Sequence, residues 1–185
     1  GDDLAITGTD NVFTNNGIVT SAAGTNITTG LRTVVNQNGG ELSVGGTFVL
    51  GGGFGGPSTF NFNGGTIPGE ISMTGTSRLN IGANSTGRAR FVFTNGSQGF
   101  LSGTIAADQE IVLRALGTSS RQVDFASNVV NNGLISLESE AGSIHAVEIG
   151  IATGTLINNN LIEMTNGGLY DAIVRRSIRG SIKNI

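Results

Sequence analysis

Apolar and polar residues alternate in short runs along this chain, and most runs end in a turn of Asn and Gly. The clearest case is residues 129–142. Val129 and Val130 lead into Asn131-Asn132-Gly133, and an alternating run follows, with Leu134, Ser136 and Glu138 on one face and Ile135, Leu137 and Ser139 on the other. A period of two is the mark of a half-buried strand. Asn and Gly accept positive φ, so they turn the chain at little steric cost. The same pattern predicts strands at residues 4–9, 18–20, 31–35, 41–44, 47–50, 59–62, 70–73, 78–81, 88–93, 100–101, 104–105 and 144–151, and residues 156–162 repeat the run-turn-run pattern with Asn160 in place of Gly. Residues 11–16 read as a turn region with Val12 and Phe13 packing inward. Residues 108–116 are ambiguous. Asp108 can cap a helix rich in Glu110, Leu113 and Arg114, but Ile111, Leu113 and Ala115 alternate and Gly117 closes the run, which favours a strand.

The turns recur. Taking Asn16, Asn38, Asn63, Asn95, Asn132 and Asn159 as equivalent gives steps of 22, 25, 32, 37 and 27 residues. Each step holds one coil of two or three short strands, the longer ones with an insertion. Irregular repeats of this length without helices predict an all-β fold, a right-handed parallel β-helix or β-solenoid. Buried parallel strands also account for continuous apolar runs such as Phe48-Val49-Leu50. The competing architecture is an antiparallel β-sandwich, whose hairpins also use Asn-Gly turns. It requires turns every 8–12 residues, and these are too uneven.

Composition sharpens this picture. The 185 residues suit a single domain, 1–185. Gly is frequent at 31 residues, Pro is limited to 2, and charged residues make up only 12%. Disorder prefers high charge and few aliphatics, whereas aliphatic residues recur here and the mean hydropathy is +0.11. The net charge of −3 argues against nucleic acid, which selects a basic surface. No apolar run is long enough for a membrane-spanning helix. Without Cys there are no disulfides and no thiolate metal sites. The glycine-rich residues 45–57 lack the Lys and following helix of a phosphate-binding loop. Residues 51–57 read instead as a loop leaving the body of the fold, with Phe54 folded back.

Catalytic constellations are sparse. His145 is the only histidine, so a zinc site or a Ser-His-Asp triad has a single nitrogen base to draw on. Its pattern places it in a strand beside Val147 and Ile149, as a structural imidazole. Glu138, Glu140 and Glu148 are the carboxylates that a glycosidase-like pair would use. Asp2, Asp3 and Asp10 are candidate calcium ligands, but the Gly-Gly-x-Gly-x-Asp repeat is missing. Thr-Gly-Thr occurs at 7–9, 74–76 and 153–155, which are not spaced as successive coils of a flat ice-binding ladder. The expectation is no enzyme activity, no cofactor and no metal. Arg175, Arg176, Arg179 and Lys183 concentrate basic charge near the C-terminus. They are the candidate contacts for anionic glycans or for assembly, with the acidic N-terminal residues as their complement in head-to-tail self-association.

The pattern Asn-Asn-Gly followed by aliphatic residues, at Asn15-Asn16-Gly17-Ile18, Asn131-Asn132-Gly133-Leu134-Ile135 and Asn158-Asn159-Asn160-Leu161-Ile162, resembles the passengers of bacterial autotransporters and filamentous-haemagglutinin-like exoproteins. The resemblance implies a secreted or cell-surface β-helix, often adhesive, with host-cell or surface glycans or proteins as partners. Two family features are missing: the Asn-Pro motifs of a two-partner secretion domain and a closing membrane barrel. The last residues still alternate, Ile178, Gly180 and Ile182 with polar neighbours, as expected of a fragment from a longer repeat array. The rival reading is a polysaccharide-degrading lyase or glycoside hydrolase on the same type of fold.

Overall fold

The computed structural model describes residues 3–53, 55–94, 98–116, 120–139, 145–165 and 175–185. These residues wind into a parallel β-solenoid of about 7 turns, without helix. The first two coils contribute β1 (Leu4–Thr9), β2 (Val12–Asn15), β3 (Ile18–Thr20), β4 (Ile27–Leu31), β5 (Val34–Gln37) and β6 (Glu41–Ser43). The middle coils contribute β7 (Phe48–Leu50), β8 (Ser58–Phe62), β9 (Glu70–Met73), β10 (Ser77–Ile81), β11 (Ala89–Phe93) and β12 (Gly99–Ile105). The last coils contribute β13 (Gln109–Ala115), β14 (Arg121–Asn131), β15 (Leu134–Ser139), β16 (Val147–Ile151), β17 (Leu156–Asn158), β18 (Leu161–Thr165), β19 (Arg176–Arg179) and β20 (Ile182–Asn184).

Two long sheets run along the solenoid. Sheet A stacks β1, β4, β7, β9, β11, β13, β15 and β18, and sheet B stacks β2, β5, β8, β10, β12, β14, β16 and β19. The pair β3–β6 begins a short third side. Every strand pairing is parallel. This excludes the antiparallel sandwich.

Parallel register puts like residues on successive rungs. On sheet A, Ile27, Phe48, Ile71, Phe91, Ile111 and Ile135 form one inward column. On sheet B, Val35, Phe60, Leu79, Leu101 and Phe125 form another. All eleven are buried. Edge-to-face contacts tie the two sheets together across the interior: Phe48–Phe60 at 6.1 Å, Phe60–Phe91 at 5.4 Å and Phe62–Phe91 at 5.6 Å between ring centroids.

The ambiguous segment 108–116 is strand β13. A helix would satisfy its own backbone groups but leave β11 and β15 without a partner between them. Gln109 fixes the preceding turn. Its side-chain carbonyl accepts from the Ala106 N–H at 2.9 Å, and its amide donates to Ser85 O at 2.7 Å.

Several expectations need correction. Residues 12–15 are strand β2, and while Phe13 packs on the core, Val12 is 68% exposed. The long strand expected from residue 144 starts at Val147. The glycine stretch stays against the body rather than leaving it. The Gly52 N–H donates to Thr74 O at 3.1 Å, and a Cβ at Gly52 would fall 1.8 Å from Thr76 O. Phe54 lies outside the described residues.

The coil count changes as well. Register places Gly82 above Phe62 O and Asn132 above Ile105 O, so Gly82 and Ala106 occupy the turn positions after Asn63. The interval from Asn63 to Asn132 therefore holds three coils, with steps of 19, 24 and 26 residues, not two enlarged ones. Asn95 itself lies outside the described residues. It follows a sheet A strand, β11, whereas the ladder asparagines follow sheet B strands.

The Asn-Asn-Gly turns work differently from the expectation. None of their asparagines has positive φ, and neither Gly17 nor Gly133 does. The first Asn continues the inward alternation of its strand and turns its amide into the interior. Asn131 Oδ1 accepts from the Gly133 N–H at 3.1 Å, and its Nδ2 donates to Asn158 Oδ1 at 2.7 Å and Leu161 O at 3.1 Å. Asn158 donates in turn to Asn184 Oδ1 at 2.7 Å. Asn15 repeats this arrangement with Gly17, Gln37 and Glu41. The second Asn stacks outside, as in Asn63 on Asn38 and Asn38 on Asn16.

At Gly133, but not at Gly17, a neighbouring backbone passes too close for a side chain. A Cβ at Gly133 would lie 2.3 Å from both Ala106 O and Gln109 O, whereas a Cβ at Gly17 would meet nothing within 4 Å. Gly133→Ala should therefore destabilise by about 1–3 kcal/mol through overpacking. Gly17→Ala should stay within about 0.5 kcal/mol of the parent. Urea unfolding of the two variants, followed by circular dichroism, checks the contrast.

Candidate functional site

The outer face of sheet B carries the most regular polar surface in the molecule. Thr14, Asn36, Asn61, Asn80 and Ser102 are register partners on five successive rungs. They bond to one another along the axis: Asn36 Nδ2 to Thr14 Oγ1 at 3.2 Å, Asn61 Nδ2 to Asn36 Oδ1 at 2.7 Å, Asn80 Nδ2 to Asn61 Oδ1 at 2.8 Å, and Ser102 Oγ to Asn80 Oδ1 at 2.8 Å. A side-chain amide has two N–H donors and two acceptor lone pairs. The ladder uses one of each on the three asparagines and leaves one donor and one acceptor per rung facing outward. Rungs repeat at about 4.8 Å.

Beside this ladder runs a second column in which Thr59, Arg78, Phe100 and Asp124 are register partners. The Arg78 guanidinium carbon lies 5.1 Å from the centroid of the half-buried Phe100 ring. Asp124 accepts from Gln98 Nε2 at 2.5 Å and Gln122 Nε2 at 2.8 Å. The face thus joins an amide ladder, an aromatic ring with a cation over it, and a carboxylate held by two amides.

The outer face of sheet A is built from charge. Arg90 bonds Glu70, meets Glu110 Oε2 at 2.9 Å and reaches Glu138 Oε1 at 3.9 Å, while Arg114 Nε meets Glu138 Oε2 at 2.8 Å. Between these columns lie Val92 and Val112, which are outward-facing yet fully buried and stand apart from the main core. Long side chains commonly cover apolar surface with their stems while their heads stay paired.

The candidate residues from the sequence are distributed as follows. Glu138 belongs to the sheet A network. Glu148 lies on sheet B, where it pairs with Arg179 at 2.9 Å and accepts from Ser177 Oγ at 3.0 Å. The two carboxylates therefore stand on different faces, each with a cationic or hydroxyl partner, and Glu140 lies outside the described residues. His145 is half-buried and precedes β16 instead of lying within it. Thr-Gly-Thr falls in β1, between β9 and β10, and between β16 and β17, so the three do not stack.

Of the basic residues, Arg175, Arg179 and Lys183 are exposed. Arg176 is separate from them. It is a register partner of buried Val147, and its Nη2 lies 2.6 Å from Ser139 Oγ on the inward side of β15. Asp3 accepts from the Asn26 N–H at 2.8 Å, and Asp2 lies outside the described residues. Among the described residues, no group of three or more His, Cys, Asp or Glu is placed to hold a metal ion.

Sequence reasoning missed three features. It read Asn61 and Asn80 as ordinary strand residues and left Asn36 outside the expected strand 31–35, although each occupies the same outward phase of its own strand. It did not couple Arg78 to Phe100, because 22 positions separate them. It also passed over Arg121, which is buried although it is charged.

Asp10 pairs with Arg32 at 2.5 Å, and both residues have positive φ, 60° and 55°, at equivalent corners of adjacent coils. Hydrogen bonds from the guanidinium hold the Asp10 carboxyl below its ordinary value. A depressed carboxyl contributes stability above its unfolded pKa, and that contribution is lost as pH falls through the folded value. An NMR titration should show Asp10 protonating below the ordinary aspartate value, and Arg32→Gln should move it back toward that value.

No family model matches this chain, and no curated protein and no solved structure is similar enough to match it.

Proposed function

We propose that this solenoid is a structural or adhesive module of a secreted or surface-exposed bacterial protein. In this reading its partners are glycans or proteins on a host cell or another surface, and the outer face of sheet B makes the contact. The observation that carries the reading is the asparagine ladder with Arg78 and Phe100 beside it. A flat face that repeats one free donor and one free acceptor on each rung suits a ligand with many hydroxyl groups. An aromatic ring within such a face offers an apolar surface to the C–H side of a sugar ring. Exposed Arg175, Arg179 and Lys183 add cationic contacts for anionic partners.

Self-association belongs to the same proposal. Large exposed apolar side chains sit on the outermost coils described: Leu4, Val12 and Ile18 at one end, and Leu161, Met164 and Ile182 at the other. A head-to-tail contact of that kind does not close on itself, so copies would add as a filament. Asp10 and Asp3 are already engaged with Arg32 and Asn26, so apolar rungs rather than opposite charge would drive it.

The rival reading, a polysaccharide-degrading enzyme, requires two carboxylates across one cleft, and the separate engagements of Glu138 and Glu148 favour the module. A glycan array and a host-cell binding assay test the proposal. Phe100→Ala and Asn80→Ala should each weaken retention by about tenfold, equivalent to about 1.4 kcal/mol, with the circular dichroism spectrum unchanged. Retention that is indifferent to both substitutions would remove the sheet B assignment. Turnover of pectin, alginate or a glycosaminoglycan that disappears in Glu148→Gln would establish the rival.

A further inference from the structure

We propose that Arg121 holds a small inorganic anion, chloride in size and charge, inside the solenoid. Arg121 opens β14 and is 1% exposed. Its side chain points inward at the corner between sheets A and B. The adjacent inward column, which continues in Val123, begins with small residues, because Ser58, Ser77 and Gly99 are register partners on successive rungs. They leave room for a long side chain to run back along the axis. Its Nη1 reaches Gly75 O, 46 positions earlier in sequence, at 3.3 Å. Its guanidinium carbon lies 5.3 Å from the centroid of the Phe93 ring. A Cβ at Gly99 would fall 2.7 Å from Nη2 and 2.7 Å from Phe93 Cδ1, so the guanidinium packs directly against Gly99.

These contacts leave one edge of the guanidinium unused. Nε and Nη2 are buried and have no hydrogen-bond partner. Together they form the edge whose two N–H bonds run side by side, the geometry with which arginine grips an anion through two donors. No described carboxylate pairs with Arg121. Burial lowers its pKa to about 10, so it remains a cation at neutral pH.

Two more unsatisfied groups belong to the same corner. Ser77 Oγ and Thr94 Oγ1 are buried without partners. Ser77 pairs with Gly99 on the next rung, and Thr94 follows Phe93. A guanidinium edge can only donate, and both hydroxyls can donate as well. The ligand that answers such a set is an acceptor carrying negative charge. Water would satisfy the donors but leave the buried cation without a counter-charge, which is costly in a low dielectric. Phe93 and Gly99 pack against the guanidinium itself, so the proposal takes the smallest class of anion, a monatomic ion.

Thermal unfolding of the 185-residue chain in sodium chloride against sodium gluconate, at constant ionic strength, tests this. The melting temperature should rise by about 3–6 °C for each tenfold increase in chloride above its dissociation constant, and bromide should act alike. Arg121→Met keeps the length of the side chain and removes the charge. It should melt above the parent in gluconate and show no chloride dependence. Crystals soaked in bromide should give an anomalous peak within hydrogen-bonding distance of Nε and Nη2. A chloride-independent parent, an unchanged dependence in Arg121→Met, or a map with water alone at that edge would each overturn the assignment. If Arg121→Met does not fold, the bromide map decides: a peak at the edge supports the site and its absence overturns it.

Discussion

Each coil of this chain closes its backbone hydrogen bonds on the coils above and below it. The N–H of Ile27 finds Thr47 O, that of Leu42 finds Thr66 O, and that of Arg121 finds Ala146 O. No coil is complete alone, so stability spreads along the stack as nearest-neighbour terms. The other features depend on this. Coils can approach to the strand spacing only where no side chain intervenes, which is why a Cβ at Gly40 would lie 1.9 Å from Gly17 O and one at Gly87 would lie 1.8 Å from Gly65 O. The same closeness aligns like residues into columns and makes every column a shared decision of several coils.

The columns divide the work. Inward ones are aliphatic and aromatic, and their packing across the interior locks sheet A to sheet B. Where an inward column turns polar, it does so in bonded ladders: Asn15 with Gln37 near one end, and Asn131, Asn158 and Asn184 near the other. Buried amides with partners on neighbouring rungs fix the register, because a slip by one rung position would strand them without bonds. Ser77 Oγ, Thr94 Oγ1 and one edge of Arg121 are buried without partners, and Arg121 differs from the two hydroxyls in carrying charge.

The outside shows two solutions for surfaces of equal length. Sheet A interleaves Glu and Arg on neighbouring rungs, so that its charges are spent on one another. Sheet B carries neutral amides that satisfy half of their capacity internally and present the other half to solvent. A network already neutralised offers little to a partner, whereas a half-satisfied ladder offers a repeating pattern. This asymmetry is the physical basis for placing recognition on sheet B.

The sequence by itself determined the class of fold. Alternation with period two, Asn-Asn-Gly turns and uneven coil-length steps favoured a parallel solenoid over helices and hairpins, because those signals are local and each coil repeats them. It also located most of the strands, including β13, whose helical residues are overruled by alternation, although it read β2 as a turn. The tertiary structure alone decided the coil count. Gly82 and Ala106 take turn positions without the Asn-Gly signature, and stacking, not local sequence, assigns them there. It alone decided why Gly133 is glycine, since the constraint comes from backbone 24 or more residues away. Partnerships such as Arg78 with Phe100, Arg90 with Glu70 and Glu110, and Arg121 with Phe93 and Gly75 arise in the same way. Residues one or two coils apart are neighbours in space but separated by 20 to 46 positions in the chain, and the register that joins them exists only once the coils have stacked.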